Sequence, residues 1–328
     1  MNLDPVTLGA GRHDIFTRAE ALDVGESDRS LQRAVQRGVL VRLRRGFYVA
    51  AERYAACDDS GKHLLHAFAA LAAQDGEVAL TGASAAALHG FTIHQQDLSV
   101  VHLLRLDGGS GRRAASAAHH HYRPEVDEDE VVARDGVRTV SPARAVWEVA
   151  SRSSLEAGVV TADSALRADP DLRDQLEDLR ARFGRVPGSR TARLAVALAD
   201  PLSESAGESV TRVQFHRYQV PMPELQHEVR RADGGLIGRS DFYWPECRHL
   251  GEFDGKIKYE RLLRTGETAS DRVVREKTRE DEMRNEGNGM SRFIWSMVMP
   301  DTARRTMAAL HPVLARSKRL YVGFGAAG

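Results

Sequence analysis

Residues Gly238–Tyr259 read GRSDFYWPECRHLGEFDGKIKY. Two short apolar-rich runs flank a Pro-Glu-Cys-Arg turn, which predicts a β-hairpin. The runs carry Asp241, Glu252 and Asp254, acids that a fully buried strand would not hold without partners. If the turn occupies Pro245 to Arg248, antiparallel pairing sets Trp244 opposite His249 and Asp241 opposite Glu252. Facing residues have Cβ atoms about 4.5–5.5 Å apart, and two carboxylates at that range repel. Alternation puts Asp254 on the face of Glu252 and Phe253 on the other, where it can pack. The acids therefore lie on a solvated face, or they hold a hard divalent cation such as Mg²⁺ through carboxylate oxygens and waters.

The surrounding elements extend this hairpin into a domain. SESAGESVTRVQFHRYQV predicts a helix ending before Pro221, ELQHEVR a strand and ADGG a turn. LIGRSDFYW and HLGEFDG are the hairpin strands. DRVVREKTREDEMRNEG predicts a charged helix ending by Gly287 or Gly289, SRFIWSM an apolar final strand, and a last helix follows Pro300. The order α-β-β-β-α-β gives an α/β sheet flanked by helices.

With GES at Gly207–Ser209, RSDF around Asp241 and GEFDG around Glu252 and Asp254, residues 203 to 299 resemble the PD-(D/E)XK nuclease superfamily, in its very-short-patch-repair-like branch. The resemblance implies that Asp241 and Glu252 ligate Mg²⁺ or Mn²⁺, with Glu208 an outer ligand or a group orienting water. Asp254 stands where that superfamily usually has lysine, although related branches write Glu-x-Asp-Gly there. Lys256 would supply the missing ammonium, and Asp254-Gly-Lys256 offers a second register of the motif. Lys256 or Lys258 would stabilise a pentacovalent phosphate or position the water. Arg275, Lys277 and Arg279 share one helix and would track the nucleic-acid strand. An inert nuclease fold that binds without cutting is the alternative.

The N-terminal segment is basic inside a neutral chain. From Arg29 to Arg53 there are seven arginines and one acid, Glu52. TRAE at Thr17–Glu20 has capping-box spacing and opens a helix that stops at Gly25. Ser27 caps a second helix, DRSLQRAVQR, that stops at Gly38. Arg29, Arg33 and Arg37 recur along one of its faces. VLVRLRRGFYVA predicts a hairpin turning near Arg45-Gly46, with Arg42, Arg44 and Arg45 upon it. This is the plan of a winged helix-turn-helix, whose second helix enters a groove while the wing touches phosphate.

Residues from about Gly61 to Phe183 mix helices with strands. HLLHAFAALAAQ, TGASAAALHGF and SPARAVWEVASR read as helices, the last with Ser141 at its cap and Pro142 at its first position. LSVVHLLRL and AAHHHYR read as strands, and VVARDGVRTV as a hairpin with an Asp-Gly turn. Alternation turns only His119 and His121 of the histidine run the same way, which favours a polar-faced strand over a metal site. RTARLAVALADP reads as a packing helix. The series RRGFYV, LTGASAAALHGF and DGVRTVSPARAVWEVA resembles the AbiEi-type antitoxin architecture over residues 12 to 168. Many relatives carry Asp near the end of the SPAR helix, where this chain has Glu148. That resemblance implies sequence-specific DNA binding, often for autoregulation, and a toxin encoded nearby as a partner.

The expected organisation is thus a winged helix-turn-helix over 1–55, an α+β middle domain over 60–185 and a nuclease-like domain over 201–328. The chain has 328 residues, 42% apolar and 28% charged, with a formal net charge of zero, so it is globular and not a generic polyanion binder. No run of about 18 apolar residues is present to span a membrane. The first residues lack a basic stretch followed by an apolar one, and Cys57 and Cys247 form no paired motif. A cytoplasmic protein is the expectation. Five lysines stand against forty-one arginines, and three of the five lie between Lys256 and Lys277. Two function classes follow: a metal-dependent DNA endonuclease in repair or phage defence, and a DNA-binding regulator with an inert nuclease fold.

Overall fold

Helix caps set the first elements of the computed structural model, which describes residues 13–74, 77–106, 118–121, 126–183, 185–255 and 269–323. After β1 (Ile15–Thr17), Thr17 Oγ1 accepts the Glu20 N–H at 3.2 Å while Glu20 Oε2 accepts the Thr17 N–H at 2.7 Å, opening α1 (Arg18–Asp23). Gly25 leaves it at φ 87°. Ser27 and Ser30 exchange the same pair of bonds at the start of α2 (Asp28–Gln36), and Gly38 ends it at φ 70°. A bidentate pair from Arg18 to Asp28, both bonds 2.6 Å, ties the two helices together. The hairpin of β2 (Leu40–Arg44) and β3 (Phe47–Ala50) completes an antiparallel sheet of order β1-β3-β2.

Alternation splits this sheet between two partners. Phe16 and Tyr48 pack with Ala21, Leu31 and Leu40 under the two helices. Ile15, Leu43 and Val49 pack on Leu65 and Ala69, which follow α3 (Ala51–Ala56) on α4 (Asp59–Ala72).

The second sheet contains β4 (Val78–Leu80), β5 (Val101–Arg105), β6 (Ala118–His121), β7 (Val131–Arg134) and β8 (Val137–Val140) in the order β6-β5-β4-β8-β7. Asp135 and Gly136 sit at φ 51° and 75° in the β7–β8 turn, the left-handed pair that a two-residue hairpin needs. Around the sheet lie α5 (Gly82–Leu88) and α6 (Pro142–Arg152), followed by α7 (Leu155–Ala168), α8 (Leu172–Arg182) and α9 (Ser189–Leu198).

A buried ion network joins α5 to α6. Glu148 takes Arg144 Nε at 3.0 Å, Arg152 Nη1 at 3.2 Å, the Gly82 N–H at 2.9 Å and the Thr81 hydroxyl. Arg144 also bonds Glu130 at 2.9 Å and lies over the Phe183 ring. Burial alone would raise the Glu148 pKa. Arg152, Arg144 and the Thr81 hydroxyl outweigh it and lower the value from 4.5 to about 2.

Contacts divide the chain into two compact units, residues 1–161 with 171–196, and residues 162–170 with 197–328. In the second unit, Asp163 on α7 holds Arg212 at 3.0 Å on α10 (Ala206–Arg217). Strands β9 (Glu224–Arg230), β10 (Leu236–Trp244), β11 (His249–Phe253) and β12 (Gly289–Phe293) form a sheet of order β12-β11-β10-β9. Its first three strands pair antiparallel, and β11 and β12 run parallel. On one face, Phe215 of α10 meets the rings of Phe242, Trp244 and Phe293 with centroids 5.2–5.5 Å apart. On the other, Val229, Leu250 and Met290 bury Met283 of α11 (Ala269–Asn285). The expected strand SRFIWSM is shorter and shifted. Pairing with β11 ends at Phe293, and Trp295–Val298 then forms a short helix, α12, before α13 (Pro300–Ser317).

Glu148→Gln is expected to cost about 3–5 kcal/mol of unfolding free energy at pH 7, because it removes the charge that faces the buried Arg144 guanidinium and the partly exposed Arg152. A carboxylate with a depressed folded pKa stabilises above its unfolded value and loses that contribution on acidification. The gap between wild type and variant in urea titrations therefore closes as pH falls from 4.5 towards 2. A gap that stays constant over that range would mean that Glu148 carries no charge in the fold.

Candidate functional site

The hairpin register is Trp244 with His249, Tyr243 with Leu250 and Phe242 with Gly251, around a 3-10 turn at Pro245–Cys247 and a left-handed Arg248. One step further along this register, Asp241 lies level with Glu252. On the other side of β10, Leu225 pairs with Phe242 and His227 with Ser240, which sets Gln226 level with Asp241. Glu252 pairs with Arg292 in the parallel ladder. Gln226, Asp241, Glu252 and Arg292 thus form a polar row across all four strands.

Backbone regularity breaks at this row. Gln226 has φ 54°, and Asp241 Oδ2 accepts the Phe253 N–H at 2.7 Å. Gln226 Nε2 reaches Glu208 Oε2 at 2.9 Å. Glu208 is buried at the start of α10, where its carboxylate also accepts from the Glu204 N–H at 2.8 Å and the Ser205 hydroxyl at 2.7 Å. Its bonds are those of a helix cap. Gly207 is small for a reason of space, since a Cβ there would run into the Phe253 ring. Asp254 is half-buried and gives its N–H to Phe293 O at 2.8 Å.

The electrostatics centre on Glu252, 8% exposed. Its Oε1 lies 2.6 Å from Arg279 Nη2, and its Oε2 3.5 Å from Arg292 Nη2. Burial pushes the Glu252 pKa up, and Arg279 offsets only part of that. The Arg279 guanidinium is in turn held protonated against its burial by Glu276 and Glu252.

The donors of the row are oxygens, the chemistry that Mg²⁺ or Mn²⁺ takes. In this conformation they do not fit a cation. Glu252 is engaged by Arg279 and Asp241 by a backbone N–H, so in this conformation a guanidinium answers the Glu252 charge. Among the described residues, no three His, Cys, Asp or Glu side chains stand close enough to hold an ion. Lys256 and Lys258 lie outside the described residues. Lys277 and Arg275 are exposed on α11, whereas Arg279 turns inward to the row instead of tracking a strand.

In the first unit, Arg29, Arg33 and Arg37 are exposed along α2, and Arg42 and Arg45 are exposed on the hairpin. Asp28 answers Arg18, whereas these five form no ion pair among the described residues. Arg44 is half-buried, over Phe47 and within reach of Ala70 O at 3.5 Å, which leaves it the least available of the six. No described helix is long and apolar enough to cross a membrane.

Sequence reasoning missed Gln226 and Arg292 and gave Arg279 a different task. The one available signal was register: Arg292 falls opposite Glu252 once β12 is aligned in parallel with β11.

Residues 6–51 match the model of the family described as "Transcriptional regulator, AbiEi antitoxin". Two similar proteins come from strains of Mycobacterium tuberculosis, the uncharacterized proteins Rv2248 and MT2308. Each is 32% identical over 222 residues, covering 67% of this chain and 75% of the relative.

Gly207→Ala is expected to destabilise the protein by about 1–3 kcal/mol by overpacking Phe253, measured by thermal or urea unfolding. A variant as stable as wild type would show that Phe253 yields freely and does not fix α10 against the row.

Proposed function

The chain belongs to the family of these mycobacterial proteins, and we propose that it is a DNA-binding transcriptional regulator of the AbiEi antitoxin type. The observation that carries this reading is the row of exposed arginines on α2 and the β2–β3 hairpin, inside the segment that matches the regulator family. The order strand, helix, helix, hairpin, with sheet order β1-β3-β2, supports a winged helix-turn-helix. In that reading α2 lies in a groove, with Arg29, Arg33 and Arg37 facing bases or phosphates, and Arg42 and Arg45 hold the wing to the backbone. A toxin encoded beside the gene is the partner that this class implies.

A second reading is favoured by the polar row and the α-β-β-β-α-β order of the second unit. There the unit is a PD-(D/E)XK-type fold, and the protein is a nuclease that uses Mg²⁺ or Mn²⁺ at Asp241 and Glu252. Asp254, Glu208, Lys256, Lys258 and Lys277 would support that chemistry or hold the strand.

Fluorescence anisotropy with DNA from upstream of the protein's own gene tests the first reading. Binding is expected to weaken with salt, and the log–log slope to shrink by about 1 for each phosphate contact removed in Arg33→Ala or Arg42→Ala. Wild-type affinity and slope in the Arg33→Ala/Arg42→Ala double variant would overturn it.

For the second reading, purified protein is incubated with plasmid, single-stranded and mismatched DNA plus Mg²⁺ or Mn²⁺. Cleavage abolished by EDTA and by Asp241→Asn is the expected result. No cleavage, or cleavage that survives both, rules the nuclease out.

A further inference from the structure

The first unit holds a cavity of about 530 Å³ between the β2 strand, α3, α4 and the loop before β5. That volume suits a small organic molecule. Leu43 and Leu98 give it apolar walls, and Tyr54 of α3 an aromatic one. Lys62 of α4 lines it as well. It is the one lysine ahead of residue 256 in a chain that otherwise writes Arg, and an ammonium is a compact point charge rather than a planar fork.

Three hydrogen-bond donors of this lining are loosely held. Lys62 is half-buried and forms no ion pair among the described residues, with its Nζ 5.8 Å from the centre of the Tyr54 ring. The Tyr54 hydroxyl is 3.4 Å from His66 Nε2, and Gln96 Nε2 is 3.4 Å from both the His94 and the Gln95 carbonyls, all longer than ordinary hydrogen bonds. His63, in the same wall, shows the contrast. Its Nδ1 donates to Leu98 O at 2.8 Å, and its Nε2 lies 2.9 Å from Ser84 Oγ. Asp59, the acid of the lining, is exposed in the first turn of α4, where the helix N–H groups favour a negative charge. An unpaired ammonium and two underused donors around one cavity suit a ligand with a negative group and acceptor oxygens.

The cavity abuts the basic hairpin. Leu43 lies between Arg42 and Arg44 on β2, the His66 ring bonds the Leu43 backbone, and α3 follows β3 directly.

We propose that this cavity is an effector site for a small organic anion, a carboxylate or a phosphate monoester on an apolar body, held by Lys62 with Tyr54 and Gln96. Its regulatory consequence rests on the DNA-binding reading and deepens it: a negative charge bound beside the wing weakens the hold on DNA.

Calorimetric titration of the full chain with benzoate, phenyl phosphate and benzyl alcohol tests the site. The two anions separate the carboxylate from the phosphate source. One of them is expected to bind about tenfold or more tightly than the neutral alcohol, and Lys62→Met to lose that margin, the worth of one charge-assisted hydrogen bond. Tyr54→Phe should weaken binding by a smaller factor. Asp59→Asn, which keeps Lys62 and removes the acid, should tighten it, and it decides the matter where circular dichroism shows Lys62→Met unfolded. No binding of either anion by wild type overturns the site, as does an alcohol that binds equally well or an affinity unchanged in both charge variants. In the anisotropy assay, the anion that binds is expected to weaken DNA binding about threefold in wild type and not in Lys62→Met. Unchanged or stronger DNA binding overturns the regulatory role and leaves the site standing. A wild type that binds no DNA removes the regulator reading and the regulatory role with it, and the calorimetry then decides the site alone.

Discussion

The Glu148 carboxylate at the N-terminus of α5 is the constraint on which the first unit depends. Thr81 caps that helix without a side-chain bond of its own to the helix, and Glu148 comes from α6 to take both its hydroxyl and the Gly82 N–H. A helix N-terminus favours an anion, and an anion this deeply buried needs compensation. Arg144 and Arg152 supply it from the same helix, four residues to either side. The TGAS and SPARAVWEVASR stretches are therefore two halves of one interaction.

Glu252 is buried to a similar degree and treated differently. Glu148 has two guanidiniums, a hydroxyl and a helix terminus, and its pKa falls to about 2. Glu252 has one close guanidinium, itself shared with Glu276, and its pKa rises. A carboxylate satisfied to excess serves the fold. One that remains costly to keep charged is a perturbed group, and such groups gather at functional sites. This contrast separates the two glutamates more clearly than their similar burial does.

Local signals in the sequence were enough for elements whose limits are set within a few residues. Thr17-x-x-Glu20, Ser27, Gly25, Gly38, Ser141-Pro142 and Asp135-Gly136 each act through bonds or φ angles close by, and the structure places helix ends and turns there. Short β1, α3 and β4, and helices α7 and α8, were not anticipated. Three-residue strands have no measurable period and exist because a neighbouring strand pairs with them. The end of β12 shows the same limit, since Phe293 is its last residue only because Phe253 is the last of β11. At the candidate site, turn arithmetic across Pro245–Arg248 sufficed to set Asp241 level with Glu252. Arg279 and Arg292 required knowing how α11 lies on the sheet and which strand runs parallel to β11, facts that depend on packing across many intervening residues.

The scarcity of lysine gives the last step. In a chain that writes Arg nearly wherever it needs a positive charge, the residue type alone says little about role. The bonds distinguish them. Arg33 is exposed and engages no described acid, a state suited to a polyanion that has yet to arrive. Arg144 is 1% exposed and locked between Glu130 and Glu148, so removing it would leave charges buried without a partner. Arg279 lies between these extremes, a quarter exposed and shared between a buried acid and a surface one. A shared, partly solvated guanidinium can leave Glu252 and remain paired with Glu276 on its own helix. Breaking its contact with Glu252 therefore strands less charge than breaking the Glu148 network, where both acids that hold Arg144 are themselves buried.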